Sequence, residues 1–156
     1  HGEPTTPVRI PNSKVELVKH FISQESFKIP LYSSAIPAGF PSPADDYIEE
    51  SIDLNEHLIL NPFSTFFLRV SGNSMINSGI HDKDLIIVDK SLTARQGNIV
   101  IAMVDGEFTI KRLSKKNNSF YLKAENHNYP DLYFSNHIDV QIWGVVIYSI
   151  HNLYKK

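Results

Sequence analysis

The dipeptide Asp105-Gly106 stands between two apolar runs, residues 98–104 and 107–113. An Asp-Gly pair takes up the positive φ angles of a tight hairpin turn whose twist matches the strands on either side. No other short signal constrains a chain this strongly: the middle of the sequence must pair antiparallel. The surrounding pattern extends the constraint. Residues 65–70 are aromatic and β-branched and run into Ser71-Gly72, and residues 85–88 follow the turn-like His81-Asp82-Lys83-Asp84. Residues 120–123 follow a polar, lysine-bearing turn at 114–119, residues 124–137 read as a loop around Asn126, Asn128 and Pro130, and residues 138–150 form a long strand pattern with Trp143 and Gly144. Short strands at regular spacing with few helices predict a mainly β, antiparallel domain from about residue 64.

The first third of the chain reads differently. Residues 1–12 hold Pro4, Pro7 and Pro11 and no periodic apolar pattern, as in a flexible N-terminal arm. Ser13-Lys14-Val15-Glu16 is a capping-box pattern, and Val15, Val18, Phe21 and Ile22 recur at helical spacing, which predicts a short helix over about 14–22. Residues 28–43 contain Pro30, Pro37, Pro41 and Pro43, so they are extended, not helical, and hard to pair into a central strand. Ile36 and Phe40 add apolar side chains to this segment. A linker has such a composition, and so does a segment that must lie extended in a peptidase. The acidic run Asp45, Asp46, Glu49, Glu50 and Asp53 reads as a solvated face, with Asp53 capping a helix over 54–60 that stops at Asn61-Pro62.

Composition narrows the function classes. A chain of 156 residues is about one domain's worth, and its net charge of −2 gives no electrostatic reason for direct binding to nucleic acid or an anionic membrane. No apolar run approaches the roughly 18 residues of a membrane-spanning helix. The polar, proline-rich start is unlike a secretory signal, which makes the cytoplasm the expected compartment, and it lacks an initiator Met. With no cysteine, disulfides, thiolate catalysis and Cys-ligated zinc are out of reach. The seven histidines show no metal-binding spacing, and His127 and His137 have no carboxylate pattern around them. They read as surface or packed residues, and no metal or cofactor is expected.

The chemistry rests on Ser74 and Lys111. A serine hydroxyl needs a base to take its proton, and a neutral lysine can serve if burial disfavours the ammonium form. In strand alternation Thr109, Lys111 and Leu113 share one face, and the neighbouring run 99–104 is apolar on both faces, so Lys111 is poorly solvated. Gly72 permits a tight turn before Ser74, and backbone amides of Gly72 and Asn73 are candidates to hold an oxyanion or support the turn. A serine in a Gly-Asn-Ser turn is also an ordinary turn residue, and a strand lysine also snorkels. Nothing in the spacing brings the two side chains together.

Several motifs in order resemble the LexA/UmuD family of self-cleaving serine–lysine peptidases: Ser71-Gly72-Asn73-Ser74-Met75, Gly79-Ile80, residues 84–89, Gly97-Asn98-Ile99-Val100, residues 105–111, Asn126, Tyr129-Pro130 and Gly144-Val145-Val146. The likeness covers about residues 29–150, and residues 39–49 with 52–55 are similar to the UmuD-like members in particular. Repressors of the family carry a winged helix-turn-helix domain before the cleavage site; here 38 residues precede Gly39 without a recognition-helix pattern. The resemblance implies a compact antiparallel β-domain over 39–156 and an N-terminal arm, 1–38, removed by cleavage at Ala38–Gly39, with Ser74 as nucleophile and Lys111 as general base. It implies a homodimer, stimulation by RecA on single-stranded DNA in the SOS response, and a processed form that joins a UmuC-type translesion polymerase. Two departures stand out. Lys83 replaces a frequent glycine, and residues 13–22 extend the usual arm. Ile29-Pro30-Leu31-Tyr32 sits where such arms touch the polymerase sliding clamp, although a plain hydrophobic arm contact has the same composition. A non-cleaving dimeric module of DNA synthesis and a LexA-like transcriptional regulator are the alternatives; the missing recognition helix speaks against the second.

Overall fold

The computed structural model describes residues 9–15, 18, 28–32, 38, 48–134 and 139–154. The chain divides into two units, His1–His57 and Leu58–Lys156. The expected processing boundary at 38/39 falls inside the first.

In the first unit, β1 (Lys28–Tyr32) pairs antiparallel with β2 (Ile48–Asp53), Lys28 opposite Asp53 and Pro30 opposite Ser51. The sequence predicts an extended segment here that is hard to pair into a central strand. Prolines exclude a central strand, but each strand of a two-stranded ribbon is an edge, where a missing N–H is tolerated. Glu49 and Glu50 are exposed on β2, as expected of a solvated acidic run, but Asp53 is buried and departs from that reading. Asp53 caps α1 (Leu54–Leu58): its carboxylate accepts the Asn55 amide at 2.7 Å, and the helix stops two residues short of the expected end. Near the start, Asn12–Lys14 form one 3-10 turn closed by the Lys14 amide on the Pro11 carbonyl at 2.8 Å. Ser13 therefore sits inside that turn, not at an N-cap. Most of the predicted helix, residues 16, 17 and 19–22, and most of the arm lie outside the described residues.

The second unit is a seven-stranded antiparallel sheet of β3 (Thr65–Arg69), β4 (Leu85–Asp89), β5 (Ile99–Val104), β6 (Glu107–Lys116), β7 (Ser119–Lys123), β8 (Leu132–Tyr133) and β9 (Val140–Ile150). Its order is β3-β4-β9-β5-β6-β7-β8, so the last long strand inserts between β4 and β5. The Asp105-Gly106 hairpin forms as expected, both residues at positive φ (48° and 87°), with Val104 opposite Glu107. Asn117 and Asn118 (φ 47° and 66°) make a second such turn, so β6 runs three residues further than the sequence suggests. The expected loop 124–137 contains β8, whose two residues are too few to carry a period. Leu132 pairs with fully buried Leu122, and Tyr133 stacks on Tyr121 at 5.0 Å.

Apolar residues on both faces build two clusters. Val70, Met75, Ile80, Ile86, Val88 and Ile101 pack in one; Val100, Ala102, Leu113, Leu122 and Val145 pack in the other. The alternation of Val100, Ile101 and Ala102 between them explains why β5 reads as continuously apolar. Gly144, opposite Ile101 on β9, is required by close approach: a Cβ there would lie 2.7 Å from Val88 Cγ1 and 3.3 Å from the Asp89 carbonyl oxygen. Gly144→Ala is expected to cost about 1–3 kcal/mol through overpacking, read from the denaturant midpoint.

Asp89 closes the end of β4. Its carboxylate accepts the Asn61 amide at 2.9 Å, the Ser64 hydroxyl at 2.9 Å, and the Ser91 amide and hydroxyl at 2.7 Å each. The Asn61 bond is the main reason its pKa falls to about 2; burial opposes the shift and the two serines reinforce it. The folded state thus holds this proton less tightly than the unfolded chain. The stabilisation is present above pH 3.8 and is lost as pH falls towards 2, on the order of 2 kcal/mol. Acid unfolding curves should show this loss for the wild type and a flatter profile for Asp89→Asn. No helix among the described residues is long and apolar enough to cross a membrane.

Candidate active site

Ser74 lies in the connection between β3 and β4, on a turn held from three sides. Gly72 opens the turn at φ +89°, a backbone region that a side chain disfavours. Its amide donates to Asp82 Oδ1 at 2.8 Å. The Asn73 carbonyl accepts the Asn126 side-chain amide at 2.8 Å, which ties the turn to the segment after β7. Met75, next to the serine, is 1% exposed and anchors the turn in the core. Lys83 completes the connection at φ +70°, donating its amide to the Val70 carbonyl at 2.9 Å. Glycine is the residue that adopts this φ without strain, and here a lysine occupies it.

Lys111 comes from β6, opposite Val100 in register, and is 6% exposed between that fully buried valine and Leu113. Its Nζ lies 3.2 Å from Ser74 Oγ, 3.0 Å from Thr109 Oγ1 and 3.1 Å from the Ile110 carbonyl oxygen. A neutral amine has two N–H donors and one lone pair. Thr109 and the Ile110 carbonyl take the two donors, and the lone pair is left for the serine hydroxyl. Burial pushes the Lys111 pKa below the ordinary lysine value, and the charge of Asp131 partly offsets it. Burial of this kind favours the neutral amine, the form in which lysine acts as a base.

Beside Ser74 opens a cleft of about 240 Å³ lined by Leu68, Val70, Ile101, Phe108 and Ile110. Its apolar wall suits a substrate with apolar side chains. Because the Gly72 amide is committed to Asp82, Gly72 supports the turn and does not supply an oxyanion donor. Among the described residues no hydrogen bond runs from the Ser74 amide. Ala38 is exposed in a bend of the first unit; Gly39 lies outside the described residues. Sequence reasoning passed over Thr109, Asp82 and Asp131. Thr109 was within reach, two residues before Lys111 on the same strand face. Asp82 and Asp131 act across the fold and carry no local signal.

Residues 30–147 match the family described as Peptidase S24-like. Among curated proteins, the chain is 50% identical to protein SamA of Salmonella typhimurium over 122 residues, covering 78% of this chain and 84% of that protein. It is 41% identical to protein MucA of Escherichia coli over 138 residues, covering 88% and 94%. A LexA repressor from Clostridium acetobutylicum is more distant, 35% identical over 135 residues, and the match spans 63% of the repressor. The family match covers well over half of the chain, and it falls on the antiparallel sheet that carries the serine and the buried lysine. The chain belongs to the S24-like peptidases, among the UmuD-like, self-cleaving serine peptidases of the SOS response.

Proposed function

We propose that Ser74 and Lys111 cut the Ala38–Gly39 bond of this chain or of a second copy, and that the cut converts it into an accessory subunit of a translesion polymerase. The observation that carries the reading is the 3.2 Å contact between Ser74 Oγ and a buried Lys111 Nζ. Neutral Lys111 takes the hydroxyl proton as Ser74 Oγ adds to the Ala38 carbonyl carbon. The Ser74 amide, which donates no hydrogen bond among the described residues, is the donor proposed for the oxyanion. Collapse of this intermediate breaks the bond to Gly39, whose nitrogen leaves with the proton from Lys111. An ester between Ala38 and Ser74 remains. Water, deprotonated by Lys111, hydrolyses that ester and restores the hydroxyl. Residues 1–38 and 39–156 are released.

The proline-rich sequence supports this reading, because prolines favour extended backbone in the residues before them and the segment carries Ile36 and Phe40, side chains of the kind an apolar cleft accepts. RecA on single-stranded DNA is the proposed stimulus; it acts by favouring the conformer with the cleavage segment docked, a population shift and not new chemistry. The processed form works as a homodimer with a UmuC-type polymerase subunit in the cytoplasm. Purified chain incubated with RecA filaments should yield two species, one ending at Ala38 and one beginning at Gly39, resolved by intact mass. Failure of the filament to accelerate cutting removes the proposed stimulus; cutting at another bond removes the proposed site.

A further inference from the structure

A second cluster of chemistry-bearing side chains takes no part in the peptidase reading. His81 and Asp84 lie in the connection between β3 and β4, and His151 follows directly on β9. Asp84 is 3% exposed. Its Oδ1 lies 2.5 Å from His151 Nδ1, and its Oδ2 lies 3.7 Å from His81 Nδ1. One ligand atom from each of the three residues lies within 4.8 Å of the others. His81 Nδ1 is buried and finds no hydrogen-bond partner among the described residues. A buried polar atom left unpartnered is costly and calls for an explanation.

We propose that His81, Asp84 and His151 bind one divalent cation of the zinc, cobalt or nickel kind. Two imidazole nitrogens and one carboxylate oxygen suit these borderline ions, whereas magnesium and calcium prefer oxygen ligands throughout. Zinc bonds of about 2.0–2.2 Å place tetrahedral ligand atoms roughly 3.3 Å apart. The cluster reaches that spacing by shifts on the order of 1 Å, and both histidine side chains, 42% exposed, have room to make them. The carboxylate is already oriented: Asp84 Oδ2 accepts the His81 amide at 2.8 Å and the Ser149 hydroxyl at 3.2 Å. Such outer hydrogen bonds hold a ligand in place for its metal. Three protein ligands leave a position for water or a small anion. The ion ties the residue after β9 to the segment that holds Gly72 through Asp82, so its effect is to rigidify the turn carrying Ser74. Motif reasoning finds no metal spacing because His151 is 67 positions from Asp84.

The test uses the full chain, stripped with a chelator and titrated with cobalt(II) while its visible absorption is followed; zinc is then added to displace it. The wild type should bind one equivalent in a site with imidazole ligands, and excess zinc should raise its melting temperature by several degrees. His81→Gln and His151→Gln should each weaken that equivalent by at least about tenfold and remove the zinc-dependent rise. Both side chains are partly exposed, so these variants remain informative even if Asp84→Asn fails to fold. An absent cobalt signal in the wild type overturns the proposal, as does binding that both histidine variants leave unchanged. Loss of self-cleavage alone does not bear on it, since the readouts are absorption and melting.

Discussion

Ser74→Ala should eliminate self-cleavage, lowering its rate by at least about 10⁴-fold, because the change removes the atom that forms the bond. It should do so without loosening the fold. The contacts that hold the turn belong to its neighbours: Gly72 to Asp82, Asn73 to Asn126, and Met75 in the core. The hydroxyl contributes only the contact with Lys111, the Ile110 carbonyl lying 3.5 Å away as an alternative acceptor for the same proton. Stability within about 0.5 kcal/mol of the wild type is therefore expected, measured by urea denaturation. Fragment yield over time gives the rate. The same variant, supplied as an uncut target to active protein, reports whether one copy cuts another; fragments from the inactive chain would establish cutting in trans.

The second large effect is on pH. Lys111 must be neutral to accept the serine proton, and burial lowers its pKa from 10.5. The rate should rise with pH and level off below the pH at which a solvated lysine titrates. The sign for stability follows from the same shift. Between the folded and unfolded pKa values the unfolded chain binds the proton more tightly, so stability rises with pH through that window. Lys111→Met removes the buried amine and keeps the aliphatic length; it should abolish cleavage while leaving stability equal or higher. Lys111→Arg keeps the charge but stays protonated at all accessible pH, so it should be inactive as well. A flat rate profile between neutral and alkaline pH would argue against lysine as the base.

The fold was legible where local chemistry dictates it. Asp105-Gly106 leaves the backbone little choice, and its hairpin places Lys111 on a face with Leu113, opposite buried Val100. The buried lysine was therefore readable from strand alternation alone. What brings Ser74 to it was not. That proximity depends on β9 inserting between β4 and β5, a pairing across the chain that no window of residues reports. The family resemblance supplied the expectation of a dyad, and the geometry supplies its hydrogen bonds, with Thr109 as a partner that alternation could have named. The β1–β2 ribbon was missed because Pro30 weighs against a strand, and the two-residue β8 because it is too short to show a period. The cluster of His81, Asp84 and His151 was missed for the reason that hid the dyad: it forms only when β9 returns to β4.

The central claim is that this chain carries both the catalyst and its substrate. Purified protein held at alkaline pH, with no other protein present, tests it most directly by intact mass. Two fragments, residues 1–38 and 39–156, are expected, appearing faster as pH rises and absent from Ser74→Ala. Fragments that persist in Ser74→Ala, or that end at another bond, would contradict it.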